Sequence, residues 1–247
     1  NAAVNGNTIC VGEGTYNEDV TINKSIRLSG SGVPNTIING QDPNAQGVVA
    51  ITADNVILEG FHIKGIDTNL SQVVVAINGS DSGPVTKPLV QYNKIVSGNG
   101  GIALRSVRVQ NGIIQNNFLE GDDSPYVATL GGLDGIGSIN NSFINNTFIG
   151  KVTQNDRQDT GITLDAATPN SLIKRNSFNT IGSLILVATN NSSIVNENNF
   201  NSNTTIKVGG TTPLNAENNW WGDLDPSDNV QPGVDFTPFA INPFAQN

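Results

Sequence analysis

Carboxylates gather in two stretches of an otherwise weakly charged chain. "EGDDSPYVATLGGLDG" (residues 120–135) carries Asp122, Asp123 and Asp134, and "NDRQDTGITLD" (155–165) carries Asp156, Asp159 and Asp165. Two carboxyl groups about 5–9.5 Å apart, one with a raised pKa, perform acid–base cleavage of a glycosidic bond. Oxygen-rich aspartate clusters also suit Ca²⁺, and Arg105 offers a cation upstream of both stretches. Aspartate in a glycine-rich turn serves turn geometry equally well, so both readings stay open at this point.

Other chemistries are excluded by what the chain lacks. One cysteine, Cys10, rules out an intramolecular disulfide framework and a cysteine zinc site, and one histidine, His62, rules out a histidine cluster. A net charge of −9 with only 12 Lys and Arg argues against nucleic acid and anionic membrane as partners. No apolar run reaches the roughly 18 residues needed to span a bilayer. The opening "NAAVNGNTICVGEGTY" shows neither Met nor a signal pattern and is expected to follow an upstream segment.

The elements that must position these groups are set by a repeat. A short apolar-x-apolar unit begins at Val49, Val75, Ile102, Ile162, Leu184 and Ile206, with starts 26, 27, 60, 22 and 22 residues apart. The gap of 60 reads as two turns of 30. A second apolar unit and an Asn-x-apolar step follow in most repeats, at Asn93, Asn116, Asn146, Asn176, Asn198 and Asn218. Strand-length units separated by Asn, Gly and Ser turns predict a coil of three short strands, not a helical solenoid. A lone coil buries too little to offset its ordering, whereas stacked coils share backbone hydrogen bonds and cover each other's apolar rims. The asparagines are expected to turn inward at a bend and stack, which suits a residue that tolerates left-handed backbone. With 37 asparagines in 247 residues, short polar side chains replace charge on the surface.

The sequence resembles the right-handed parallel β-helix proteins of pectin-lyase-like architecture over essentially its whole length. "GEGTYNEDVTINKSIRLSGSGVPNTIING" (12–40) is similar to their usual first coil and "DNVILEGFHIKG" (54–65) to a second. "ENNWWGDLDPSDNVQPGVDFTPFA" (217–240) is similar to the closing segment of secreted and surface-attached members. The resemblance implies an all-β, single-stranded solenoid of about nine coils with capped ends. One domain is expected over 1–247: the end of an N-terminal cap and the first strand in 1–11, coils in 12–215, and a C-terminal cap and exit segment in 216–247. Trp220 and Trp221 are expected to cover the last coil.

Catalytic members of this group work with side chains that project from the strands and adjoining turns. The outward column of the first strand reads Ala50, Ala76, Ala103, Thr163, Ile185 and Lys207, without a carboxylate. Arg105 is read in a strand-end column that Asp165 occupies about two coils later. "QDTG" (158–161) resembles the Gln-Asp-Thr of pectin methylesterases, but that family's Asp-Phe-Ile-Phe-Gly and Leu-Gly-Arg-Pro-Trp segments are absent. So are the Gly-His-Gly and Asn-Thr-Asp signatures of polygalacturonases. His62, between Phe61 and Ile63, is expected to face solvent.

Two functions are compatible with this. The first is an extracellular or cell-surface, non-catalytic rod, adhesin or glycan- or partner-binding scaffold, able to self-associate through its coil ends. The alternative is a polysaccharide-active lyase, hydrolase or epimerase that uses the acidic stretches 120–135 and 155–165, with calcium as a possible aid. In either, Arg105, Asp122, Asp123, Asp134, Asp156, Asp159 and Asp165 are the candidate ligand-binding residues.

Overall fold

The computed structural model describes residues 3–67, 72–123, 126–131, 137–151, 160–164, 168–180, 184–187, 192–201, 206–209 and 213–245. The chain is a right-handed parallel β-helix. Its described strands form three long, wholly parallel sheets of ten, eight and eight strands, here sheets A, B and C, visited in turn. Sheet A runs from Thr8–Val11 to Val234–Asp235, sheet B from Gly14–Asn17 to Asn199–Phe200, and sheet C from Val20–Ile22 to Ile206–Gly209.

The bend from sheet A to sheet B shows how the sequence specifies a coil. Asn93, Asn117, Asn146, Asn176, Asn198 and Asn219 are all buried there. The Asn176 side-chain amide donates to Asn198 Oδ1 at 3.0 Å, and the Asn176 backbone N–H donates to the same oxygen at 2.8 Å. It also donates to the Phe143 carbonyl at 2.8 Å. The same pattern links Asn93 to Asn117, Asn117 to Asn146, Asn146 to Asn176 and Asn198 to Asn219. Each buried amide is therefore satisfied while it ties its coil to the next.

Two expectations need correction here. The buried positions are Asn117 and Asn219, not Asn116 and Asn218, so Leu119 and Trp221 face the core while Phe118 and Trp220 are half-buried outside it. The left-handed backbone also belongs to the preceding residue: Tyr92, Asn116, Asn145, Arg175, Glu197 and Asn218 have φ of 53–59°, and the buried asparagines do not. In the asparagine pairs the first residue makes the turn and the second fills it.

Inside the bend the aromatics pile up at strand spacing. Ring centroids lie 4.7 Å apart for Phe148 and Phe178, 5.1 Å for Phe178 and Phe200, and 4.8 Å for Phe200 and Trp221. A run of buried Ile, Val and Leu continues this core through the earlier coils.

The gap of 60 residues hides a strand. Tyr126–Leu130 lies in sheet C between Ile102–Val107 and Thr160–Leu164, with Leu104 opposite Ala128 and Ala128 opposite Ile162. The two coils are thus 24 and 34 residues long, from 104 to 128 and from 128 to 162. The stretch 120–135 is consequently not one acidic turn, since Phe118–Asp122 and Tyr126–Leu130 are strands of different sheets. Register also differs upstream: Leu104 pairs with Val75, Arg105 with Ala76 and Ser106 with Ile77. Ala103 therefore leaves the outward column and Arg105 enters it.

Candidate functional site

The corrected column on the outer side of sheet C reads Thr21, Ala50, Ala76, Arg105, Thr129 and Thr163. Backbone pairing continues it through Ile185 and Lys207. Arg105 thus lies in line with Thr163, two positions short of the column read for it with Asp165.

The column changes character along its length. Ala50 and Ala76 are buried, and Gly47 lies so close over them that a Cβ there would come within 2.9 Å of Ala76 Cβ. Beyond Ala76 the small residues give way to half-buried polar ones. Arg105 Nε, Thr129 Oγ1 and Thr163 Oγ1 are each shielded from solvent, and none has a hydrogen-bond partner among the described residues. Arg105 makes no ion pair with a described residue either. Other unpartnered atoms, such as Ser106 Oγ and Trp221 Nε1, are scattered, whereas these three occupy successive coils of one column.

Buried polar atoms are nearly always paired, because leaving one dry and unbonded costs about 1–3 kcal/mol. A contiguous row of them has the character of a site whose partner arrives from outside. A guanidinium fork suits a carboxylate or paired hydroxyls, and threonine hydroxyls donate to and accept from other hydroxyls.

The other candidates lie elsewhere or outside the described residues. Asp122 ends a strand of sheet B, and Asp123, at φ 47°, follows it in the turn toward sheet C. Burial raises the Asp122 pKa, with Asp123, Asp67 and Glu120 adding to the rise and Lys151 opposing it. Glu120 is buried and ion-paired to Lys151. Asp134, Asp156, Asp159 and Asp165 lie outside the described residues. Among the described residues no three His, Cys, Asp or Glu side chains converge as a metal site would require. Thr129 was missed in the sequence because its strand lay in the gap of 60 residues. An equal division of that gap would have placed a strand near it.

His62 differs from its expectation as a solvent-facing histidine. It is half-buried on the outer face of sheet B, and its pKa is lowered to about 4 by burial and by Lys64 and Lys94, against the pull of Glu120.

No family model matches the sequence, and no curated protein matches it. Among solved structures, the chain is similar to the ORF18 protein of Geobacillus virus E2, with 17% identity and a TM-score of 0.55 over 98% of this chain and 53% of that one. It is also similar to the tailspike protein gp49 of Acinetobacter baumannii bacteriophage Fri1, a capsular polysaccharide depolymerase. There identity is 11% and the TM-score 0.56, over 87% of this chain and 43% of that one. The chain thus spans about half the length of these two proteins. Pectin methylesterase PemA from Erwinia chrysanthemi superposes more loosely, with 13% identity and a TM-score of 0.41 over 94% of this chain and 85% of that one.

Proposed function

We propose that this chain, a right-handed parallel β-helix of pectin-lyase-like architecture, is a carbohydrate-binding module that works at a cell or particle surface. It would hold a polysaccharide across the outer face of sheet C. The observation that carries this reading is the row of unpartnered polar atoms on Arg105, Thr129 and Thr163. Strands in successive coils stand roughly 4.8 Å apart, so the row offers a polymer one polar contact per coil. The fold agrees with this use without proving it, since one architecture hosts many functions. The likeness to a tailspike that is a capsular polysaccharide depolymerase adds support for a carbohydrate partner.

Binding is favoured over cleavage because the described part of the column supplies a guanidinium and hydroxyls, and no acid–base pair. Retention on a panel of immobilised polysaccharides tests the reading, followed by Thr129→Val with Thr163→Val. Losing two hydroxyl contacts should weaken the retained polysaccharide by roughly tenfold or more. A double variant that binds as tightly as the parent would sink the assignment.

A second reading, cleavage, is favoured by one observation: the Asp122 carboxyl keeps its proton above the usual carboxylate range, as a general acid requires. New reducing ends or unsaturated products, lost in Asp122→Asn, would support it. Assays with and without Ca²⁺ would test the metal.

A further inference from the structure

The cations of this acidic chain are unevenly spread. On the outer face of sheet B, His62 pairs in register with Lys94 and Lys94 with Phe118, while Lys64 lies beside Val96 and Val96 beside Glu120. His62, Lys64, Lys94 and Phe118 are all half-buried on adjacent strands. Glu120 is taken up by Lys151. Lys64 has no ion-pair partner among the described residues, and Lys94 has only the ring of Phe118, its Nζ lying 5.2 Å from the centroid. Two lysines held this close without a counter-ion repel each other, and an aromatic face compensates one of them only in part.

We propose that His62, Lys64 and Lys94 form a second binding site, for the oxyanion of an acidic sugar, either a carboxylate or a sulfate. Phe118 holds the Lys94 ammonium in place beside the imidazole until the anion arrives. The two ammonium groups supply charge and the imidazole supplies an N–H donor, which a half-buried histidine offers in either protonation state. The site accounts for Phe118 outside the core, where an exposed aromatic on a sheet face otherwise has no packing role. The depressed pKa of His62 agrees with this geometry, since Lys64 and Lys94 both act on it and only Glu120 opposes them. The oxyanion part of the inference stands on sheet B alone. That the oxyanion is carried by a sugar rests on the carbohydrate reading above.

His62 is the sole histidine, so its imidazole resonances report on the site unambiguously in the intact protein. An NMR titration compares sodium chloride, sodium sulfate, a short oligouronate and a neutral oligomer of the same length, at matched ionic strength. Sulfate and the oligouronate should each raise the His62 pKa from about 4, by about one unit for a tenfold preference for the imidazolium form. The oligouronate should act at lower concentration than sulfate, and the neutral oligomer should leave His62 unmoved. Lys94→Gln and Lys64→Gln should each abolish the sulfate-induced shift while raising the pKa in chloride.

A His62 pKa indifferent to both anions overturns the site. A response to sulfate with none to the oligouronate overturns the sugar and leaves an oxyanion site. Because Thr129→Val with Thr163→Val should not alter the His62 response to sulfate, failure of the sheet C reading is distinguishable from failure here.

Discussion

The Asn176 amide nitrogen donates to Asn198 Oδ1 at 3.0 Å and, in the opposite direction along the stack, to the Phe143 carbonyl at 2.8 Å. One buried side chain thus joins three coils. Asn176→Leu removes the donor and leaves carbonyl groups dry, so it should lower unfolding free energy by about 1–3 kcal/mol in urea titrations. A midpoint equal to that of the parent would show that the amide is not needed for stability.

The corner just before each such asparagine makes a different demand. Tyr92, at φ 55°, is exposed, so its side chain contributes little packing to offset the unfavourable backbone. Tyr92→Asn should leave stability unchanged or raise it, whereas the β-branched Tyr92→Val should cost about 1–2 kcal/mol. Equal midpoints for the two variants would argue against a conformational role at this corner.

Gly161 meets the aromatic stack from sheet C: a Cβ there would lie 2.6 Å from Phe178 Cδ1. Gly161→Ala should destabilise the protein, and Phe178→Leu should rescue part of that loss by withdrawing the ring edge. Coupling between the two changes, read from a double-mutant cycle, checks the contact. Strict additivity would place the clash elsewhere.

At Thr163 the expectations for stability and for binding point in opposite directions. Its hydroxyl is shielded and unpartnered, so Thr163→Val exchanges an unsatisfied group for a methyl and should be neutral or stabilising in thermal unfolding. The same change should weaken polysaccharide retention. A large drop in melting temperature would mean that the hydroxyl has a structural partner.

Acid should weaken the fold in two windows. His62 has its pKa lowered to about 4 from an unfolded value of 6.5, so the unfolded chain binds more protons and stability falls as pH drops between those values. Burial pushes the Glu59 carboxyl up, but hydrogen bonds from Gln91, Arg27 and Ser29 hold it below its usual 4.5. Its contribution is present above 4.5 and is lost as pH falls further. His62→Gln should flatten only the first window and Glu59→Gln only the second, measured as urea midpoints across pH.

The architecture was legible because inward residues repeat where side chains are largest: Asn176 and Phe178 return as Asn198 and Phe200 at a spacing of 22. Register was harder to read where the pattern offered two choices. In Asn116-Asn117-Phe118-Leu119 the aromatic looks like the core residue, yet Leu119 is buried and Phe118 faces out. Ser106 conceals its strand for the same reason, occupying a core position paired with Ile77 and Leu130. Arg105 was therefore noticed but assigned to the wrong column. Its isolation from counter-ions depends on neighbours 24 or more residues away, which one-dimensional spacing does not reveal.

The strand order of sheet A, from Thr8–Val11 at one end to Val234–Asp235 at the other, places the two ends of the chain at opposite ends of the stack. Tension applied between the termini therefore does not load all the inter-coil contacts together. It opens them at the rim, one coil at a time, and each step releases the slack of a single coil, from 22 residues between Asn176 and Asn198 to 34 between Ala128 and Ile162. Mechanically the molecule is a spool that unwinds in unequal lengths, with the longest length paid out next to Thr129 and Thr163.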